Sequence, residues 1–109
     1  MGFLDARSAR RFSPEKLAKN NLFETEQMFC DVYCLEPGQE QKPHSHGDAT
    51  KFYFVLEGRG SFTIEDEVRE LGPGELAWSA PGQSHGVRND SDGQLVLLVA
   101  MGPHPSFQP

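Results

Sequence analysis

No stretch of this chain approaches the roughly 20 consecutive apolar residues that a helix needs to cross a bilayer, and its N-terminus lacks the apolar core of a signal peptide. A cytoplasmic protein is therefore expected. Basic charge is scarce as well: 10 Lys and Arg against 16 Asp and Glu leave a formal net charge of −6, and basic residues cluster no further than Arg7, Arg10 and Arg11. That balance argues against nucleic acid and anionic membranes as partners. Cysteine is limited to Cys30 and Cys34. Four residues along a strand would separate them by roughly 13 Å, too far for a disulfide or a shared tetrahedral zinc ion. Both read as reduced, inward-facing apolar side chains, with a reactive or site-lining thiol at Cys34 as the alternative. A phosphate-binding glycine loop is missing, because Gly58-Arg59-Gly60 lacks the further glycine and the helix that would follow it. Ser45 and Ser84 adjoin histidines, but strand neighbours point to opposite faces, which denies either serine an adjacent base.

Helical periodicity is absent too, apart from a possible turn after Ser13-Pro14-Glu15, where Ser13 could cap and Pro14 occupy the first helical position. Turn signals instead recur along the chain: Pro37-Gly38, Gly58-Arg59-Gly60, Glu65-Asp66-Glu67, Gly72-Pro73-Gly74, Pro81-Gly82 and Asp90-Ser91-Asp92-Gly93. The acidic cluster among them reads as a solvated hairpin turn. Between these turns, residues 27–36, 52–56, 61–64, 75–79 and 94–101 are rich in β-branched, aromatic and aliphatic side chains and read as strands. Many short strands at this spacing imply an antiparallel all-β sandwich or barrel. A length of 109 residues suits one domain, divided into an N-terminal arm over about 1–26, a barrel over 27–101 and a tail over 102–109. Residues 52–56 and 95–101 are too apolar for half-solvated strands, so something must cover their outer face. A second copy is the expected cover, giving a homodimer, with the first dozen residues and the tail ordered only when docked on a partner.

Three of the four histidines, His44, His46 and His85, stand in glycine-flanked stretches. Residues two apart on a strand share a face at roughly 6.6 Å, near enough for two imidazoles to reach one ion at about 2.0–2.1 Å. His85 is the candidate third ligand. Three histidines leave one position of a tetrahedral ion, or up to three of an octahedral one, open to water or substrate, which belongs to catalytic rather than structural sites. His104, between two prolines in the tail, reads as a surface or hydrogen-bonded residue.

Gly38, His44, His46, Lys51 and Gly58 form one spaced block, and Gly74, Gly82, His85 and Asn89 a second. Together they resemble the two motifs of the cupin superfamily, over about half the chain. The resemblance implies a double-stranded β-helix (jelly-roll) barrel holding a divalent metal on His44, His46 and His85, with Gly58 and Gly82 as turn glycines and Asn89 as the terminal asparagine. Two positions depart from the family pattern. Ala80 stands where a proline is usual, and Lys51 replaces the glutamate that usually supplies a fourth ligand. An ammonium cannot ligate; Lys51 could turn toward Asp48 or a substrate carboxylate, or swing away, and Gln39, Gln41 or Asp48 could supply a weaker oxygen ligand.

A divalent transition metal (iron, manganese, nickel, zinc or copper) on this site suits a small-molecule metalloenzyme of dioxygenase-like type, or an isomerase. Lys51, Tyr53 and Trp78 are the candidate substrate-binding residues for a small organic ligand, with an anion among the candidates, the two aromatics as pocket wall. The alternative is a non-catalytic ligand-binding or sensing module, with or without metal.

Overall fold

A computed structural model of the chain describes residues 2–107. Nine strands form two antiparallel sheets: β1 (Ala18–Glu24), β2 (Phe29–Leu35), β3 (Glu40–His44), β4 (Thr50–Glu57), β5 (Gly60–Ile64), β6 (Glu67–Leu71), β7 (Leu76–Ser79), β8 (His85–Arg88) and β9 (Leu95–Gly102). One sheet runs β1-β2-β9-β4-β7 and the other β3-β8-β5-β6. The expected all-β jelly roll is the architecture observed.

Alternation on the strands decides which side chains meet between the sheets. On β4, Lys51, Tyr53 and Val55 are buried while Phe52, Phe54 and Leu56 look outward. Tyr53 and Val55 join Tyr33, Leu35, Leu97, Val99, and Phe62 and Val87 of the facing sheet, in one core. Each fully buried side chain of this size contributes about 1.5–3 kcal/mol. Asn89 closes one end of the core. It is wholly buried, and its Nδ2 donates to the Leu35 and Gly93 carbonyls while its Oδ1 accepts from Ser91. At Gly58, just past the end of β4 and with φ +84°, a side chain would run into the Gln94 carbonyl, which accounts for a glycine in the turn to β5.

The N-terminal segment departs from expectation. Residues 18–24, assigned to an arm by sequence, form an edge strand on β2 with a register slip between Asn21 and Phe23. Upstream, a 3-10 turn over Ala6–Ala9 lies on the outer face of the larger sheet. Asn20 pins it by donating to the Ala9 and Arg11 carbonyls, and Arg10 pairs with Glu57 at 2.8 Å. This segment, rather than a partner, covers part of the outer face, where Ala9, Val32, Cys34 and Val96 make a second apolar cluster. Cys30 and Cys34 therefore face away from the core between the sheets, not into it, because they alternate with Tyr33 and Leu35 on β2. Both are free and buried, and burial raises both thiols above their usual pKa, which disfavours a reactive Cys34. Ser13 and Pro14 lead into a bend rather than a helix, with Ser13 Oγ accepting from the Glu15 N–H. In the tail, a 3-10 turn spans Pro105–Phe107, and His104 is buried with its Nε2 3.0 Å from Glu24. Residues 108 and 109 of the expected tail lie outside the described residues.

Candidate metal centre

β8 is an interior strand of the smaller sheet, and His85 at its start pairs with His44 of β3 on one side and Ile64 of β5 on the other. The β3–β8 ladder slips between Gln41 and His44, so that Lys42 and Pro43 together oppose the single residue Gly86. In regular alternation Gln41 and Pro43 would share the inner face and His44 would look out. The bulge reverses this and brings His44 in. Pro43, which has no N–H to offer a ladder, suits the bulged position. Gly86 is needed opposite: a Cβ there would lie 2.8 Å from both the Gln41 carbonyl oxygen and the Pro43 nitrogen. His46 lies beyond the end of β3, in a loop, where its carbonyl accepts the Gly82 N–H at 2.9 Å. The loop of the first histidine block is thus tied to the turn of the second. Two histidines sharing one extended strand, as the spacing suggested, is not how the pair converges; a bulge and a loop bring it together.

Ring centroids lie 4.5 Å apart for His44 and His85, 5.0 Å for His44 and His46, and 5.4 Å for His46 and His85. One nitrogen from each ring falls within 4.8 Å of the others. Neighbouring groups set the tautomers. The Lys42 carbonyl can only accept, so His44 Nδ1, 2.9 Å away, carries a hydrogen, and Nε2 is the nitrogen left to face an ion. His85 Nδ1 is 3.0 Å from Ser79 Oγ of the other sheet, and its Nε2 is buried without a hydrogen-bond partner among the described residues. Orphaned buried nitrogens are rare in native proteins. Beside two further imidazole nitrogens, this one suits a metal ion.

Protonation points the same way. Burial first, and then the charges of Lys51, His44 and His46, push His85 down to about 4. His46 is lowered by burial and then by His44, Lys51 and Lys19. Neutral imidazole is the ligating form. The donor set therefore fits a divalent first-row transition metal, which His44, His46 and His85 together could hold.

A cavity of about 230 Å³ opens on His44 and His46, walled by Lys19, Asp31, Tyr33, Gln41, Lys51 and Met101 among others. Lys51 turns inward and is only 3% exposed. Its Nζ donates to Gln41 Oε1 at 3.1 Å and sits 5.4 Å and 5.1 Å from the Tyr33 and Tyr53 ring centroids. Burial pushes it down to about 7, with Lys19 adding to the effect and Asp31 opposing it. The Tyr53 hydroxyl donates to the same Gln41 oxygen at 2.6 Å. That oxygen is committed to two donors, while Gln39 is spent on the Glu36 N–H and the Ser13 carbonyl, and Asp48 is exposed. Among the described residues, the group that could hold a metal ion at this site consists of the three histidines alone.

Trp78 stands apart from this cavity. It pairs with Phe52 across β4 and β7 and is 59% exposed on the outer face, because Ala77 and Ser79 take the inward positions of β7. Sequence reasoning missed Lys19, Asp31, Tyr33 and Ser79. The first belongs to an unrecognised strand; for Ser79, the signal was a lone polar residue at an inward strand position.

The family model for the cupin domain matches residues 31–101. The chain belongs to the cupin family. This cupin is similar to the protein TT1209 from Thermus thermophilus, whose crystal structure superposes with a TM-score of 0.92 at 41% identity over 96% of this chain and 100% of that one. A Klebsiella pneumoniae protein with a double-stranded β-helix domain, 23% identical with a TM-score of 0.88 over 96% of this chain and 92% of the other, shares the fold. In sequence the cupin also resembles a 5-nitrosalicylic acid 1,2-dioxygenase from Bradyrhizobium, 28% identical over 66% of this chain and 34% of that protein. A gentisate 1,2-dioxygenase from Haloferax is 34% identical over 64% of this chain and 18% of the enzyme. The matched region is thus about a third or less of either dioxygenase. No helix among the described residues is long and apolar enough to cross a membrane.

Proposed function

We propose that this cupin is a small-molecule metalloenzyme of dioxygenase-like type. The observation that carries the reading is the convergence of three imidazoles, one with an orphaned buried nitrogen, beside a cavity. His44, His46 and His85 would hold iron, manganese, nickel, zinc or copper. Such an ion, with only three protein ligands, supplies open positions for oxygen activation or for polarising a carbonyl or enol. Ser79 and the Lys42 carbonyl orient two of the imidazoles, and second contacts of this kind fix ring direction and tautomer. Lys51 and Tyr33 meet the substrate, whereas Tyr53 is buried in the core and reaches the cavity only through its hydroxyl on Gln41; a cavity below the roughly 300–1,000 Å³ of drug-sized pockets limits that substrate to a small molecule. Resemblance to two 1,2-dioxygenases supports oxygen chemistry. Two free, buried thiols suit a reducing compartment such as the cytoplasm.

Elemental analysis of purified protein, joined to oxygen-uptake assays with small hydroxylated acids, tests the proposal. Near-stoichiometric metal is expected, falling at least tenfold in His46→Ala and unchanged in His104→Ala. Full metal content in His46→Ala would place the ion elsewhere. The second reading, a non-catalytic ligand-binding or sensing cupin, is favoured by one feature: Lys51 stands where a carboxylate would have offset the charge of the ion. Ligand binding without oxygen consumption would select it.

Outside the site, Phe52, Phe54, Leu76 and Trp78 form an outer patch that the N-terminal segment leaves uncovered. A second copy is its proposed cover.

A further inference from the structure

Lys51 is almost wholly buried, yet no carboxylate lies within ion-pairing distance of it among the described residues. The only hydrogen bond of its Nζ among them is to Gln41 Oε1, an uncharged oxygen it shares with the Tyr53 hydroxyl. An ammonium has three donors, so two are left for whatever fills the cavity that Lys51 lines. The tyrosine faces attract a cation but accept no conventional hydrogen bond. Lys19 flanks the Tyr33 ring as well, its Nζ 5.6 Å from the centroid, and opens on the same cavity. Against these two lysines the wall offers one carboxylate, Asp31, which accepts from Asn21 Nδ2 at 2.8 Å. Any divalent ion on the three imidazoles adds further positive charge. The cavity is therefore an electropositive pocket with unused donors, too small for a large ligand.

We propose that the cavity takes a small carboxylate, received by Lys51 as a charge-assisted partner beside the histidine cluster, so that Lys51 determines substrate class. The proposal deepens the metalloenzyme reading and rests on its placement of the substrate in this cavity, but it does not need a particular metal. Coulombic attraction between opposite charges a few ångströms apart, shielded from water, exceeds what the same pair gains at the surface. An uncharged ligand of the same shape would leave the lysine unpaired and forgo that gain. Lys19, more exposed, assists entry.

Matched pairs of anion and neutral amide supply the test: acetate with acetamide, and salicylate with salicylamide, titrated by calorimetry into purified protein with its native metal content and into protein stripped by chelator. The wild type should bind the better-fitting anion at least tenfold more tightly than its amide, and Lys51→Arg should keep most of that ratio. In Lys51→Met and Lys51→Gln the ratio should fall to within about threefold, at unchanged metal content by elemental analysis. Retention of anion preference in both uncharged variants, or its absence from the wild type in both pairs, overturns the proposal. Should neither uncharged variant fold, the wild-type ratio alone decides. If the protein carries no metal, the metalloenzyme reading fails, while Lys51-dependent anion preference in the stripped protein still upholds this one.

Discussion

Replacing Lys51 by Met should make the metal-free protein more stable, and by an amount that shrinks as the pH rises. Lys51 is 3% exposed and its pKa is held at about 7, against 10.5 for the ordinary side chain, chiefly by burial. A base with a lower pKa in the folded state binds fewer protons there than in the unfolded chain, so stability rises with pH between the two values. Below pH 7 the ammonium is present in both states, and the folded state bears the full desolvation cost. A shift of this size corresponds to about 4–5 kcal/mol, an upper figure because the tyrosine faces return part of it. At pH 9.5 the unfolded side chain is still mostly charged, so roughly 1.4 kcal/mol of the penalty persists. Between pH 6 and pH 9.5 the wild type should therefore gain about 3 kcal/mol relative to Lys51→Met. Urea melts of both proteins at the two pH values, in chelator, measure the difference. Subtracting one protein from the other removes most of the contribution of the buried histidines and tyrosines, which titrate in both. Equal pH dependence in the two proteins would refute the argument, since it would mean that the amine reaches solvent or an unrecognised anion.

Two further outcomes follow from the geometry. Ser79→Ala removes the partner of His85 Nδ1 and should lower metal affinity about 10–100-fold with the fold intact; unchanged affinity in a metal titration would show that the ring is oriented without it. Phe54→Glu places a charge in the uncovered patch of β4 and β7 and should convert a dimer to monomer or aggregate in sedimentation at micromolar concentration, whereas a monomeric wild type would refute the dimer itself.

The strands that sequence made legible are those buried on both sides or alternating cleanly. β4, β5, β7 and β9 fall inside the runs at 52–56, 61–64, 75–79 and 94–101 or overlap them closely. β1 stayed hidden because Lys19, Asn20 and Asn21 give it little β-propensity and a register slip at Asn21 breaks its alternation. β6 was obscured by charge, since Glu67, Arg69 and Glu70 lie on an exposed edge where charged side chains discourage pairing with another chain. At the site, the histidines were visible through spacing, but their means of convergence was not. A bulge answered by Gly86 leaves no local signature beyond a proline and a glycine that many turns would share. Trp78 was misplaced for a simpler reason: an aromatic near a site motif suggests a pocket wall, whereas register decides which face it takes, and Ala77 and Ser79 occupy the inner one.

The cost worked out for Lys51 bears on what the cavity is for. A few kcal/mol is a large share of the 5–15 kcal/mol that holds a typical domain together, and a methionine or leucine at that position would pack without it. Nothing in the packing of the core requires an ammonium there: Tyr53 reaches Gln41 by its own hydroxyl, and Tyr33, Tyr53 and Val55 fill the space between the sheets. The penalty belongs to the ligand-free protein, however. A ligand that brings an anion to Nζ offsets part of it, and what remains after the anion's own desolvation appears as affinity. A buried, unpaired lysine facing a histidine cluster is thus a destabilised state that a bound carboxylate relieves. The same reasoning places the selectivity of the pocket in the difference between charged and neutral ligands rather than in the fit of their shapes.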